Sequence, residues 1–146
     1  MHKDRPRLVV IGNACLDVTY HLDRLPKPGE TINAQRVVTD LGGKGLNQAI
    51  AAGRAGAHAD FIAAIGQDST AERIRSTLHA EGMTVGGLIQ HEGASDDSVL
   101  LLDAQGENVI VSNTLQAETL TPAEAEARLQ PALDGAALLL LQGNLR

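Results

Sequence analysis

Residues 41–66 read LGGKGLNQAIAAGRAGAHADFIAAIG, and the other segments of the chain are arranged around this stretch. Its first part holds three glycines within four residues, which let a backbone adopt positive φ and approach a ligand closely. Lys44 and Asn47 add polar side chains, and the apolar spacing that follows predicts a helix over residues 44–55. Because a helix N-terminus presents unpaired N–H groups, we predict a site for a polyol or an anion here.

The glycine-rich loop does not match the two common nucleotide-binding motifs. A P-loop requires Ser or Thr directly after its lysine, but Gly45 follows Lys44. The spacing of the glycines also fails to give the G-x-G-x-x-G pattern of dinucleotide-binding folds. A nucleotide phosphate is therefore not the ligand that this loop indicates, and a plain tight turn remains the alternative.

Predicted strands and helices alternate along the rest of the chain. Aliphatic runs predict buried strands, a Pro-Gly turn joins two extended segments into a flap, and two capping boxes predict helix starts. In chain order the predicted elements are a strand at 8–11, flap strands at 17–25 and 31–39, the helix at 44–55, a strand at 58–65, a helix at 69–81 whose capping box begins at Ser69, an extended segment at 85–91, a hairpin at 98–112, a helix whose capping box begins at Thr121, and a buried strand at 136–141.

This order predicts an α/β fold with a mainly parallel sheet flanked by helices and a small β-flap. A strand as apolar as residues 136–141 normally has a helix on each face, and few residues follow it. We therefore hypothesise that the chain is the N-terminal part of a longer protein. We expect residues 1–146 to form one domain of it.

Composition excludes several classes of protein. The chain of 146 residues is 43% hydrophobic and 21% charged, as is typical of a globular domain. Its net charge of −6 argues against a nucleic acid partner, and its longest apolar run is too short to span a bilayer. The single cysteine and the absence of an apolar leader predict a cytoplasmic location.

Asp17 is the strongest acidic candidate for a site. It follows the first predicted strand closely, and ligands in open α/β sheets bind beyond the carboxyl ends of the strands. A turn or capping role is the alternative for this residue. Cys15 lies nearby without a recognisable His and acid pair, so we predict a small buried residue rather than a nucleophile.

The other polar residues give weaker signals. The five histidines show no metal-ligand spacing, so no metal site is predicted. Glu118, Glu124 and Glu126 are predicted to form a solvated helix entrance, and Asp68 is predicted to tie a strand to the following helix.

Taken together, these residues resemble the ribokinase-like, or PfkB-type, carbohydrate kinases. The octapeptide GGKGLNQA at residues 42–49, with Gly56 seven positions later and Gly66 ten further on, fits the first signature of that family. The likeness extends to LVVIG before Asp17, to PKPGET at residues 26–31, and to GENVI at residues 106–110. The sequence is most similar to the ribokinase branch.

The resemblance implies a ribokinase-like fold of Rossmann type in which this chain supplies the sugar site. The implied sugar-binding residues are Asp17, Gly42, Gly43, Lys44 and Asn47. The carboxylate would accept hydrogen bonds from neighbouring hydroxyls, while Lys44 and Asn47 would donate to oxygens. Strands within residues 17–40 and 85–112 would form a lid that excludes water.

The resemblance also implies what this chain does not hold. In the family, ATP, Mg²⁺ and the catalytic Asp of a Gly-Ala-Gly-Asp motif belong to the C-terminal half, and that motif does not occur in these 146 residues. We therefore expect no catalytic residue in this chain and no kinase activity of the chain alone. The lid strands of relatives pair between subunits, which implies a homodimer.

Two positions depart from the ribokinase pattern. Cys15 stands where ribokinases typically carry Asn, and Gly143 stands where they carry Glu after the last strand. Ribose itself is therefore in question as the sugar. Asn13 and Asn144 are weaker candidates that could replace the two contacts.

Three functions remain open from the sequence. The favoured one is ATP-dependent phosphorylation of a sugar hydroxyl by the full-length protein, with this chain supplying the sugar site and lid. The second is a sugar-binding or regulatory module without catalysis, or a partial chain that needs a partner chain. The third, a nucleotide-binding Rossmann-type domain of another enzyme class, is weakened by the motifs that the loop fails to match.

Overall fold

Two four-stranded sheets organise the described part of the chain. The computed structural model describes residues 5–142 and residue 145. Its elements are β1 (Arg7–Ile11), β2 (Cys15–His21), β3 (Arg36–Gly42), α1 (Lys44–Arg54), β4 (His58–Ile65), α2 (Ser69–Ala80), β5 (Leu88–Gln90), β6 (Asp96–Leu102), β7 (Asn108–Asn113), α3 (Leu115–Thr119), α4 (Pro122–Leu133) and β8 (Ala136–Leu141).

The core sheet has the strand order β5-β4-β1-β8, and all of its strands are parallel. Its middle strands are buried on both faces, as expected for a parallel sheet covered by helices. Phe61 and Leu46 belong to the cluster that β1 and β4 share with α1 and α2. Ile62 and Leu120 belong to the cluster on the other side, which includes residues of α4. The predicted α/β architecture is confirmed.

The second sheet, called the outer sheet below, has the order β3-β2-β6-β7. β2 pairs with β6 in parallel, while β3 and β7 pair antiparallel at the two sides. Only residues 12–14 separate β1 from β2, so the chain passes directly from the core sheet to the outer sheet. This short connection places the outer sheet beside the carboxyl end of the core strands.

Several predicted elements are confirmed with small shifts at their ends. α1 begins at Lys44, β4 has the predicted bounds, and the capping box of Thr121 and Glu124 opens α4. The flap strands are shorter and shifted, since β2 ends at His21 and β3 begins only at Arg36. β2 begins at Cys15, so Asp17 lies within β2 and still follows the end of β1, as predicted.

Four features of the local structure differ from what the sequence indicated. Asp68, not Ser69, caps α2, because its carboxylate accepts the Ala71 N–H at 2.9 Å. β5 pairs with β4 in the core sheet, so the predicted lid range of 85–112 contributes to the outer sheet only from Asp96. The short helix α3 was not predicted.

The fourth concerns β8, which is not buried. Leu138, Leu139 and Leu141 are 52%, 42% and 67% exposed, so the described helices leave much of the two faces of β8 uncovered. β8 pairs only with β1, at the side of the core sheet. The aliphatic composition of this strand indicated helices on both faces.

Within the described residues, no helix is long and apolar enough to cross a membrane.

Candidate functional site

A cavity of about 340 Å³ lies between the outer sheet and the start of α1. Its lining comes from the neighbouring outer-sheet strands β2, β6 and β7, from the segment before β2, and from the loop and first turn of α1. The lining residues are Asn13, Cys15, Asp17, Gly43, Lys44, Asn47, Asp96, Ser98, Leu100, Ile110, Ser112, Asn113 and Thr114.

The structure brings together nearly all of the predicted site residues. Asp17, Gly43, Lys44, Asn47 and the weaker candidate Asn13 line the cavity. Gly42 is paired with Cys15 across β2 and β3, and the Asp17 carboxylate fills the space beside its Cα. The last candidate, Asn144, lies outside the described residues.

The glycines of the loop serve backbone packing. Gly43 has a φ of +96°, and a Cβ there would lie 2.7 Å from the carbonyl oxygen of Asn13. A Cβ on Gly45 would lie 2.7 Å from the backbone nitrogen of Asn13 and from the Cα of Gly12. Since real Cβ atoms do not approach backbone this closely, only glycine fits at either position. The close approach is to the segment between β1 and β2.

Two of the N–H groups at the start of α1 already have partners, which the sequence did not indicate. Leu46 donates to the backbone oxygen of Asn13 at 3.0 Å, and Gly45 donates to Asn13 Oδ1 at 3.4 Å. Asn13 therefore satisfies groups that would otherwise need a cap or a ligand. Side chains of the first turn offer further polar contacts to a ligand.

Lys44 and Asn47 are those side chains. They lie three residues apart on the first turn of α1, so they share one face of the helix. Both are exposed, whereas Leu46 and Ala49 on the opposite face are fully buried. The helix thus anchors itself in the core and presents an amine and an amide to the cavity.

The side chain of Cys15 contacts the carboxylate of Asp17. The thiol donates to Asp17 Oδ1 at 3.3 Å, and the residue is 5% exposed. Burial, followed by the negative charge of Asp17, raises the pKa of the thiol from 9.0 to about 12. The thiol therefore keeps its proton and orients the carboxylate, in agreement with the prediction of a small buried residue.

Asp96 is an acidic residue of the cavity that sequence reasoning missed. It is 1% exposed, and its two carboxylate oxygens accept the backbone N–H groups of Gln116 at 2.7 Å and Ala117 at 3.0 Å. Burial raises its pKa despite these bonds. The carboxylate thus caps α3, an element that the sequence did not reveal, so no signal pointed to this role.

Ser98, Ser112, Asn113 and Thr114 were also missed. Ser98 and Ser112 lie on strands that the sequence predicted only as a hairpin, Asn113 ends β7, and Thr114 follows it. The pairing of β6 with β2 brings them to the site. The segments Ser98-Val99-Leu100 and Ile110-Val111-Ser112 carry no motif that indicates a site.

The donor set of the cavity suits a polyhydroxylated neutral ligand. Carboxylate, amine, amide and hydroxyl groups surround the cavity, with Leu100 and Ile110 as apolar contacts.

In the described part of the chain, no group of three or more His, Cys, Asp or Glu side chains is arranged to hold a metal ion.

Comparison with known proteins shows which family the chain belongs to. A family model described as pfkB family carbohydrate kinase matches residues 5–146. The ribokinase of Mus musculus is 31% identical over 105 residues, which are 71% of this chain and 32% of the mouse protein.

Solved structures agree with the family match. The ribokinase of Giardia lamblia superposes with a TM-score of 0.84 at 26% identity, covering 97% of this chain and 42% of that one. An Arabidopsis thaliana ribokinase complexed with ribose and ATP gives a TM-score of 0.78 at 26% identity, covering 97% of this chain and 46% of that one. The chain therefore spans less than half the length of these proteins.

Proposed function

The chain belongs to the pfkB family of carbohydrate kinases, and on that premise we propose that it is the sugar-binding part of a kinase that phosphorylates a sugar hydroxyl with ATP. Relatives that match it are ribokinases, one of them complexed with ribose and ATP. Because the chain covers under half of their length, the phosphoryl transfer belongs to a longer protein in this proposal.

The observation that carries the proposal is the meeting of Asp17, Lys44 and Asn47 at one cavity. Asp17 can accept hydrogen bonds from two neighbouring hydroxyls, while Lys44 and Asn47 can donate to ring or hydroxyl oxygens. This match of donors and acceptors fits a sugar better than an anion, because an anion would leave the carboxylate facing like charge. Cys15 would hold the carboxylate in place through its 3.3 Å bond to Oδ1.

The outer sheet would act as the lid of this site. Its strands β6 and β7 form the wall opposite α1, so movement of that wall would change the access of water. Water competes with the sugar hydroxyl for the transferred phosphoryl group, which makes exclusion of water useful to a kinase. Exposed valines and isoleucine on β3 and β7 would support a homodimer formed through this sheet.

In this proposal ATP and Mg²⁺ bind outside this chain. Two first-turn N–H groups of α1 that could receive a phosphate, those of Gly45 and Leu46, are bonded to Asn13 instead. We therefore assign the nucleotide and the metal to the remainder of a longer cytoplasmic protein and place no catalytic residue in this chain. Sugar-dependent ATP turnover by the purified chain would contradict this assignment.

A second function would use the same cavity without a kinase reaction. The polar side chains that line it could hold a sugar, so sugar binding without catalysis is the alternative role. Calorimetric titration of the purified chain with D-ribose, D-fructose and ATP tests the sugar binding that both functions share. We expect saturable heat with a sugar and none with ATP, and saturation with ATP alone would indicate a nucleotide-binding domain instead.

The sequence that follows Arg146 would distinguish the two functions. A Gly-Ala-Gly-Asp motif in the same reading frame would support the kinase, and a stop codon would support the binding module.

A further inference from the structure

A pair of hydroxyl groups lies on the outer-sheet wall of the cavity. Ser98 on β6 is directly opposite Ser112 on β7, and their Oγ atoms are 2.9 Å apart. Ser98 is also the register partner of Asp17 on β2. Since all three line the cavity, they form one polar row across three neighbouring strands.

The two ends of this row differ in hydrogen-bonding capacity. The carboxylate of Asp17 only accepts, whereas each serine hydroxyl both donates and accepts. One hydroxyl of the pair donates to the other, and Ser98 also hydrogen-bonds with the Cys15 thiol, so the exposed Ser112 hydroxyl and the remaining lone pairs are what the pair offers to a ligand. Neighbouring strands are about 4.8 Å apart, so a ligand hydroxyl that donates to Asp17 also lies within reach of a donor on Ser98.

Packing does not account for the two serines. The next row on the same face is apolar, with Leu100 opposite Ile110, and both of these residues also line the cavity. Ser98 is 7% exposed, and burying a hydroxyl costs free energy unless a partner satisfies it. Aliphatic side chains at both positions would continue the apolar wall without that cost.

We propose that Ser98 and Ser112 form a specificity subsite that recognises one hydroxyl of the sugar on its outer-sheet side. The inference rests on the proposed function, and it adds the substrate class. The chain takes a sugar that carries a hydroxyl at this position and discriminates against the deoxy sugar that lacks it. A substrate hydroxyl there donates to Asp17 and accepts from the serine pair.

The test compares parent and deoxy sugars on the same protein. D-ribose and D-fructose are titrated into the 146-residue chain by calorimetry, and the tighter binder is then compared with its monodeoxy analogues. The same titrations are made with Ser98→Ala, Ser112→Ala and the double variant. Ser76→Ala, on the exposed face of α2, is the matched control.

One analogue should bind the unaltered chain about 3- to 10-fold more weakly than its parent, the scale of one lost hydrogen bond. In the double variant that ratio should approach one, while the ratios of the other analogues stay unchanged. Equal loss of affinity for every sugar, or unchanged ratios, would overturn the inference. Thermal unfolding of each variant checks the fold, and the exposed Ser112 carries the test if Ser98→Ala is unstable.

Failure of the proposed function gives a different result. If no sugar binds the unaltered chain, both the function and the subsite are overturned. If a sugar binds and Asp17→Ala abolishes binding while the serine variants keep all ratios, only the subsite is overturned.

Discussion

The carboxylate of Asp17 occupies the space that a Cβ on Gly42 would need. The two residues are brought together by the antiparallel pairing of β2 and β3, in which Cys15 is opposite Gly42. A glycine at the start of the loop therefore determines where the main acidic group of the cavity lies. This relationship connects the glycine-rich sequence to the proposed sugar site more directly than a free helix N-terminus would.

Substitution of Gly42 should reduce sugar binding. In Gly42→Ala the new methyl group displaces the Asp17 carboxylate, so we expect at least about a 10-fold loss of affinity, the scale of one charge-assisted hydrogen bond. Calorimetric titration measures it. Gly86→Ala is the control, because a Cβ there meets nothing within 4 Å. Equal affinities of the two variants would contradict the account.

The Cys15 thiol should resist alkylation. Burial raises its pKa to about 12, so little thiolate exists at pH 8 and iodoacetamide should react about 100-fold or more slowly than with the urea-unfolded chain. The reaction rate should keep rising with pH beyond 9.0, the ordinary pKa of a thiol. A rate in the folded chain that levels off near pH 9 would show that the thiol is exposed and does not support Asp17.

Glu124 should contribute stability that depends on pH. Glu124 lies in the first turn of α4, at the partly exposed helix entrance that the sequence predicted. Thr121 donates to its carboxylate through its hydroxyl and its N–H, and His91 contacts it at 2.8 Å. These contacts, Thr121 first, lower its pKa from 4.5 to about 2. A lowered pKa gives stability that is present above pH 4.5 and lost as the pH falls toward 2.

Urea unfolding of Glu124→Gln tests this expectation. The variant should be less stable than the unaltered chain at pH 7, and the difference should shrink steadily between pH 4.5 and pH 2. Glu126→Gln, exposed on the same helix, is the control and should show no such trend. A difference that is the same at every pH would refute the charge-based explanation.

The leucines of β8 should bind a hydrophobic dye. Leu139 and Leu141 are 42% and 67% exposed and lie two residues apart on one face of the strand. We expect the chain to enhance the fluorescence of an anilinonaphthalene dye, and Leu139→Ser with Leu141→Ser to lower it without changing the unfolding midpoint. Leu140→Ser is the contrasting variant, because Leu140 packs against the core and its loss should destabilise the fold.

The same dye measurement also tests the hypothesis that the chain is part of a longer protein. Absence of dye binding together with a cooperative unfolding transition would count against it, since the apolar strand would then be covered in the chain itself.

Local sequence signals predicted the elements that local chemistry determines. The apolar spacing of Leu46 and Ala49 predicted α1, and the Thr121 capping box predicted the start of α4. Ser69 failed as a cap because Asp68, one residue earlier, bonds both the Ala71 N–H and the Ser95 backbone N–H. A contact with a residue so distant in sequence cannot be read from the segment alone.

The residues of the candidate site also fall into two groups, those that local motifs predicted and those that long-range pairing brings to the cavity. Asp17, Lys44 and Asn47 belong to segments with recognisable motifs, so the sequence predicted them. Ser98 and Ser112 reach the cavity only because β6 pairs in parallel with β2, a long-range choice that their own segment does not encode. Two of the N–H groups predicted to be free at the start of α1 are not, because Asn13, from a different segment, accepts from Gly45 and Leu46.

The most direct test of the central claim is a sugar titration followed by backbone amide NMR. We predict saturable shifts at Asp17, Gly43, Lys44 and Asn47 with a sugar and none with ATP. Asp17→Ala should weaken binding about 10- to 100-fold while the fold persists, and Glu107→Ala, exposed in the β6–β7 turn, should not. Shifts confined to other residues, or unchanged affinity in Asp17→Ala, would contradict the assignment of this cavity as the sugar site.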